Sequence, residues 1–152
     1  MSAEIRPVAV LSVRQPWAWL ILHGGKDIEN RSWSTKIRGR VLIHAAKSKS
    51  RQEWDAAMDF ALTRAMVSPD VLAQCDFETV ERGGIVGSVE IVDCVRNSSS
   101  RWFAGDWGFV LEDRRQLPFV ACPGRLGFFP VPEAWLTLNQ GDPAAVIPEG
   151  RL

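Results

Sequence analysis

The chain has 152 residues and carries 18 basic and 18 acidic side chains, so its formal net charge is zero. This balance argues against a protein that coats long nucleic acid through bulk electrostatics, because that mode of binding needs a large basic excess. With 46% hydrophobic and 24% charged residues, the composition is that of an ordinary globular protein. We therefore expect one domain over residues 1–152, with its core over about 8–138 and a loosely attached tail over 139–152.

The spacing of the cysteines and the length of the apolar runs indicate the cellular compartment in which the protein is expected. Cys75, Cys94 and Cys122 are widely spaced and form no C-x-x-C pair. A zinc cluster or a disulfide framework is therefore not expected, and scattered thiols fit a reducing compartment. No apolar run has the length of a membrane span, and residues 1–7 lack the hydrophobic stretch of a signal peptide. We expect a cytoplasmic protein that uses no metal, cofactor or membrane.

The first third of the chain alternates strands with one short helix. Its predicted elements are a strand over 8–13, a helix over 16–23 and strands over 27–33 and 39–46. Pro16 favours a helix start, because proline tolerates the first helical position. Gly24 and Gly25 end the helix, since glycine adopts the left-handed conformation freely.

The rest of the chain predicts two more helices and then mostly strands. Ser50 and Glu53 form a capping-box pattern ahead of an apolar stripe, which indicates a helix over about 51–65. Ser68 followed by Pro69 starts a shorter helix that reaches about Gln74. The later predicted elements are strands over 85–95, 107–111, 117–122 and 126–131, a charged turn over 112–116 and a short closing helix that begins with residues 132–135.

The strand over 27–33 carries an unusual face. Period-two alternation places Glu29, Arg31 and Trp33 on one side, directly after a helix end that carries Lys26. Such a face is unsuited to a dry core. Two readings stay open: a functional site, or a surface cluster of ion pairs that contributes well under about 1 kcal/mol.

The same stretch resembles a known family. Gly24-Gly-Lys26-Asp-Ile-Glu29-Asn-Arg31 fits the pattern G-x-K-x-x-E-x-R, and Ser12, Gln15, Pro16 and Trp17 precede it. Together they resemble the ASCH family (activating signal cointegrator-1 homology), a branch of the PUA-like fold. Further matching segments are Arg38-Gly-Arg40-Val-Leu-Ile-His-Ala45, Gly84-Ile-Val-Gly-Ser-Val-Glu90 and Trp107-Gly-Phe-Val-Leu111.

The fold class follows from both lines of reasoning. About six strands with three short helices between them predict an α+β protein whose small mixed sheet curls into a barrel. The resemblance implies the same: a PUA-like β-barrel with a cleft beneath the first helix. The strand order is implied by the resemblance alone.

Candidate roles are assigned around that cleft. Lys26 and Glu29 are the catalytic candidates if the protein is an enzyme. The predicted ligand-binding residues are Ser12, Gln15, Trp17, Arg31 and Trp33. Stacking of a tryptophan on a flat heterocycle competes with burial of that tryptophan for packing. His44 is read as a core histidine rather than a catalytic one, and Glu90 is a reserve acid or base.

The charges are unevenly distributed along the chain. Residues 31–51 contain seven basic and no acidic side chains, whereas residues 53–81 contain seven acidic side chains and one arginine. We expect the basic segment to form one positive face around the cleft, with the acidic helical insert turned away. Lys36, Arg38 and Arg40 are then the predicted contacts to a nucleic-acid backbone.

The resemblance implies three kinds of activity: removal of an acyl group from a modified cytidine, RNA cleavage, and binding of nucleic acid. The lysine of the amidohydrolase members falls on Lys26, but their nucleophilic threonine falls on Glu29. A carboxylate does not replace a hydroxyl as nucleophile, although Glu29 can activate water while Lys26 stabilises an oxyanion. We therefore favour a module that binds RNA, single-stranded nucleic acid or a nucleotide, with a modified base in the cleft. The alternative is a metal-free hydrolase of a modified nucleoside, or a ribonuclease.

Overall fold

A computed structural model of the chain describes residues 7–132 and residue 135. Its elements are β1 (Pro7–Val13), α1 (Trp17–His23), β2 (Ile28–Arg31), β3 (Gly39–Ala45), α2 (Arg51–Thr63), α3 (Pro69–Leu72), β4 (Gly84–Val95), β5 (Trp107–Ala121) and β6 (Phe128–Pro132). The α+β class is confirmed. None of the helices in this part of the chain is long and apolar enough to cross a membrane.

The described strands form one sheet of order β2-β5-β4-β3-β1-β6. β1 runs parallel to β3, and the other neighbouring pairs are antiparallel. The predicted barrel is wrong in one respect: β2 and β6 are the two edges of this sheet and do not pair with each other, so the barrel is not closed.

Side chains bridge the gap that a closed barrel would fill with backbone hydrogen bonds. Nη2 of Arg31, at the end of β2, donates to the carbonyl oxygen of Ser12 in β1 at 2.7 Å. Trp33 packs edge-on against Phe128 of β6, with ring centroids 5.7 Å apart. Because three strands separate β2 from β1 in the sheet, these contacts require a strongly curled sheet. We call the gap between the end of β2 and the facing ends of β1 and β6 the seam.

Helix α1 lies on the concave side of this sheet. Ala18, Ile21 and Leu22 pack into a core cluster with residues of β1, β3, β4 and β5. Gly87 in β4 permits the close approach, since a Cβ added there would lie 2.6 Å from Leu22 Cδ2. Leu20 faces a second cluster that links α1 to α2. The helix is thus fixed between sheet and α2, with its first residue at the seam.

The predicted helix after Ser50 is observed as α2. The Ser50 hydroxyl accepts the N–H of Glu53, and Trp54 and Ala57 are buried on the inner face. The helix predicted over 69–74 is shorter and ends at Leu72. Local signals therefore predicted where both helices begin.

The charged segment 112–116 lies inside a strand and not in a turn, so two predicted strands are one. β5 continues through it because its backbone stays paired with β4, for example Glu112 opposite Glu90 and Gln116 opposite Gly87. The pairing contains register shifts, and Asp113 has a φ of 46°. The charged side chains point into solvent, which is why their polarity resembles that of a turn.

The predicted last strand is β6. The closing helix predicted to begin with residues 132–135 does not start at Pro132, which is the last residue of β6; Trp135 is helical and buried, and residues 133–134 lie outside the described residues. The predicted tail over 139–152 lies outside the described residues.

Candidate functional site

A cavity of about 400 Å³ opens at the seam. We call it the cleft. Its walls come from the end of β1, the start of α1, β2 and the loop before β6. The lining residues are Ser12, Val13, Arg14, Trp17, Lys26, Glu29, Asn30, Arg31, Ala46, Leu126 and Gly127.

Lys26 lies at the foot of the cleft and is only 1% exposed. Gly25, with a φ of 78°, allows the turn that follows α1, and the Lys26 N–H donates back to the Leu20 carbonyl at 3.1 Å. The Lys26 ammonium donates to the Ile28 carbonyl and, at 2.7 Å, to Glu29 Oε1. An ammonium has three N–H bonds, so one remains for a ligand.

Glu29 joins two cations. Its Oε1 accepts from Lys26, and its Oε2 accepts from Arg31 Nη2 at 2.8 Å. The same Nη2 also donates to Ser12, and the other N–H groups of Arg31 make no hydrogen bond to a described residue. Two cations and one anion give this triad, Lys26, Glu29 and Arg31, one net positive charge.

Burial and charge shift the pKa values of the triad. Burial lowers the pKa of the Lys26 ammonium, although the neighbouring carboxylate acts in the opposite direction. Burial alone would raise the pKa of Glu29, but Lys26 and Arg31 reverse this, and its pKa lies below the ordinary value. Glu29 is therefore a carboxylate at neutral pH, and a weak base.

Of the two predicted stacking residues, Trp17 lines the cleft and Trp33 does not. The Lys26 ammonium lies 5.5 Å from the centre of the Trp17 ring. Trp33 follows β2, is 37% exposed and packs on Phe109 and Phe128. Trp33 is connected to the site only through Arg31, whose guanidinium carbon lies 5.7 Å from the centre of the Trp33 ring.

Gln15 is buried but does not line the cleft. Its Oε1 accepts the N–H of Trp19 at 2.9 Å, and its Nε2 donates to the Glu81 carbonyl at 2.8 Å. The side chain thus holds the start of α1. Ser12 lines the cleft, and its backbone fixes Arg31 and also pairs with Gly127.

The three predicted backbone contacts lie away from the cleft lining. Lys36 is exposed, and Arg38 pairs loosely with Asp93 at 3.7 Å. Arg40 is largely covered; it donates to Ser88 Oγ at 2.9 Å and pairs with Asp113.

The other ionisable residues singled out from the sequence have structural partners. Glu90 lies 3.8 Å from Arg40, which provides the partner that this carboxylate needed. His44 is buried, and its Nε2 lies 2.8 Å from the Cys122 carbonyl oxygen. Burial lowers the pKa of His44, so a neutral ring is favoured. Glu53 does not turn away from the cleft, because it pairs with Arg14 at 2.7 Å.

Several lining residues were not predicted. Arg14 lies between Ser12 and Gln15, which were both predicted to bind a ligand, and this position was the signal available in the sequence. Leu126 and Gly127 come from the far end of the described chain and reach the cleft only because β6 pairs with β1. Nothing local in the sequence indicates that contact.

The arrangement suits recognition of a flat polar ligand. The triad offers N–H donors from Lys26 and Arg31 together with the unused lone pairs of a carboxylate, beside an aromatic face. Among the described residues, no group of three His, Cys, Asp or Glu side chains gathers as a metal site would need.

Comparison with known proteins places the chain in a family. The ASCH domain family matches residues 11–120. Over 86 residues the chain is 41% identical to activating signal cointegrator 1 of Homo sapiens, a match that covers 56% of this chain and 14% of that protein. The Mus musculus protein of the same name is 36% identical over 85 residues, with the same two shares. The matched segment thus spans only 14% of the length of these curated relatives. The resemblance inferred from the Lys26–Glu29–Arg31 motif is confirmed: the chain belongs to the ASCH domain family.

Proposed function

We propose that the protein binds RNA or another single-stranded nucleic acid, and that one base or nucleotide enters the cleft. The observation that carries the proposal is the net positive triad beside Trp17, in which Lys26 and Glu29 are buried and Arg31 is partly exposed. The family is generally thought to bind RNA, which supports the same conclusion.

Each part of the cleft has a role in this proposal. The free N–H groups of Arg31 and Lys26 donate to carbonyl or phosphate oxygens, and Glu29 accepts from an exocyclic amine. Trp17 supplies a surface on which a base stacks. The apolar side chains of Ala46 and Leu126 suit a base that carries an added acyl or alkyl group. A cavity of about 400 Å³ is within the range that holds small ligands.

The same geometry bears on the hydrolase alternative. Lys26 lies 2.7 Å from Glu29, as a lysine–carboxylate pair in a catalytic site would. However, both oxygens of Glu29 already accept hydrogen bonds from cations, and its lowered pKa makes it a poor base for water. Binding is therefore the stronger proposal, and deacylation or RNA cleavage is kept as an outcome of the test.

Tryptophan emission provides the test. Titration with nucleosides, with acetylated cytidine and with short single-stranded RNA should quench the emission of the wild-type protein. The response should disappear in Trp17→Phe and persist in Trp19→Phe, because Trp19 is half-buried on another side of α1. Arg31→Gln should weaken binding without removing the indole.

The same mixtures are then analysed by chromatography. Unchanged RNA and unchanged acetylated cytidine, together with binding, support a binding module. Turnover that Glu29→Gln abolishes in a folded protein would instead establish a hydrolase. Absence of binding by every one of these probes would refute the proposal. The cytoplasmic location indicated by the cysteines stays a prediction.

A further inference from the structure

The wall of the cleft is shared with a second cavity. Trp17 and Arg14 line both the cleft and a cavity of about 420 Å³ between α1 and α2. The other residues that line this second cavity are Gln15, Glu53, Ala56, Ala57 and Phe60. The cleft and the second cavity are therefore adjacent, with the Trp17 indole and the Arg14 guanidinium between them.

The second cavity has the surfaces that a base requires. Trp17 meets Phe60 edge-on, with ring centroids 5.7 Å apart, so two aromatic rings form one side. Ala56 and Ala57, one turn before Phe60 on α2, add only small side chains to the lining and leave room beside these rings. Aromatic side chains next to a cation are the usual platform for successive bases of a single strand.

Charge at the junction fits the link between two nucleotides. The Arg14 side chain is more than half exposed where the cavities meet, and it pairs with Glu53. Exposed ion pairs are weak. An arginine binds a phosphate by two parallel hydrogen bonds, so a phosphodiester can replace Glu53 as its partner.

We infer that the second cavity binds the neighbouring nucleotide of a strand whose first base occupies the cleft, with Arg14 on the phosphate that joins them. The ligand class is then an oligonucleotide of at least two residues and not a free nucleoside. This inference rests on the proposed function, since the first base must occupy the cleft.

The test compares nucleosides with dinucleotides by calorimetry on the full chain. For each RNA base, and for acetylated cytidine, the nucleoside and the matching homodinucleotide are titrated. The wild-type protein should bind the preferred dinucleotide about tenfold more tightly than its nucleoside, since a second stacked base and one phosphate contact are gained. A dinucleotide that binds where its nucleoside is too weak to measure supports the inference equally.

Variants of the second cavity make the test specific. Ala56→Glu should remove the advantage of the dinucleotide and leave nucleoside affinity unchanged, because Ala56 is exposed and lines only the second cavity. Ala56→Ser is the matched control and should keep the advantage. Arg14→Gln should weaken dinucleotide binding, whereas Glu53→Gln should strengthen it by freeing the guanidinium.

The outcomes separate the two proposals. Equal affinity for nucleoside and dinucleotide, or a dinucleotide advantage that survives Ala56→Glu, would overturn this inference and leave the proposed function standing. Failure of the wild-type protein to bind any nucleoside, dinucleotide or short RNA would overturn both.

Discussion

The Lys26 ammonium lies 2.7 Å from Glu29 Oε1 although the two side chains are only 1% and 8% exposed. Such a pair must compensate for the loss of water around both charges, and Arg31 contributes a second hydrogen bond to the carboxylate. The triad is therefore electrostatically coupled, and removing one member changes the environment of the other two.

We expect Glu29→Gln to lower the free energy of unfolding by about 3 kcal/mol, because it leaves the buried Lys26 and the partly buried Arg31 without their anion. Lys26→Met in the same chain should recover part of this loss, since it removes one of those cations. Urea denaturation of Glu29→Gln, Lys26→Met and the double variant gives the coupling free energy between the two residues.

Glu78→Gln serves as the comparison for these variants. Its side chain is 70% exposed and pairs only at the surface, with Lys49. Surface pairs contribute about 0–1 kcal/mol, so this variant should unfold almost like the wild type. If Glu29→Gln lowered the free energy of unfolding as little as Glu78→Gln does, this result would contradict electrostatic coupling within the triad.

The pH dependence of stability should also report on Glu29. Its pKa in the folded protein is lowered by the two cations, after they outweigh the opposing effect of burial. A carboxyl whose pKa is lower when folded stabilises the protein above its unfolded pKa, and this contribution is lost as the pH falls through the folded value. Below the ordinary glutamate pKa of 4.5, the wild type should therefore lose stability more steeply than Glu29→Gln. Denaturant midpoints at several acidic pH values measure the difference, and parallel curves would refute it.

Leu126 allows binding to be separated from folding. It is 94% exposed and yet lines the cleft. We expect Leu126→Ser to leave the thermal midpoint unchanged while weakening RNA binding by about 1.5 kcal/mol, because the apolar cover of the ligand is lost. Calorimetric titration measures the affinity. Full affinity in this variant would mean that the ligand does not contact the loop before β6.

The basic segment should act through two different mechanisms. Lys36 and Arg38 are exposed, so replacing either by alanine should reduce the slope of log affinity against log salt by about 0.7 if each contacts one phosphate. Arg40 is held by Ser88 and Asp113. We expect Arg40→Ala to act mainly on stability, by about 1–2 kcal/mol. A salt slope that neither Lys36→Ala nor Arg38→Ala changes would exclude them as phosphate contacts.

Local signals explain how much of the fold and site was predictable. Lys26, Glu29 and Arg31 fall within six residues of one helix end and one short strand, so their proximity follows from backbone periodicity. Gln15 is one of the residues that precede the motif, but its amide is used by the Trp19 N–H and the Glu81 carbonyl. A sequence motif identifies the residues that build a site, but it does not distinguish those that contact a ligand from those that hold the backbone in place.

Long-range pairing explains the rest. An exposed charged strand and a charged turn have the same polarity, so segment 112–116 could be assigned only once its pairing with β4 was known. Closure of the barrel likewise depends on whether β2 and β6 meet, and side chains at the seam take the place of that pairing. Leu126 likewise reaches the cleft through a long-range pairing, that of β6 with β1.

The seam also has a consequence for synthesis on the ribosome. The N–H of Ser12 donates to the Gly127 carbonyl at 3.1 Å, so one wall of the cleft joins the first described strand to the loop before the last. Translation delivers the N-terminal part of a chain first, and β1 must wait for residue 127 before this wall exists. A nascent chain that has not reached that residue lacks this wall, so the cleft in which we propose that an oligonucleotide binds is still incomplete. If the proposal holds, ligand binding begins only after translation has passed residue 127.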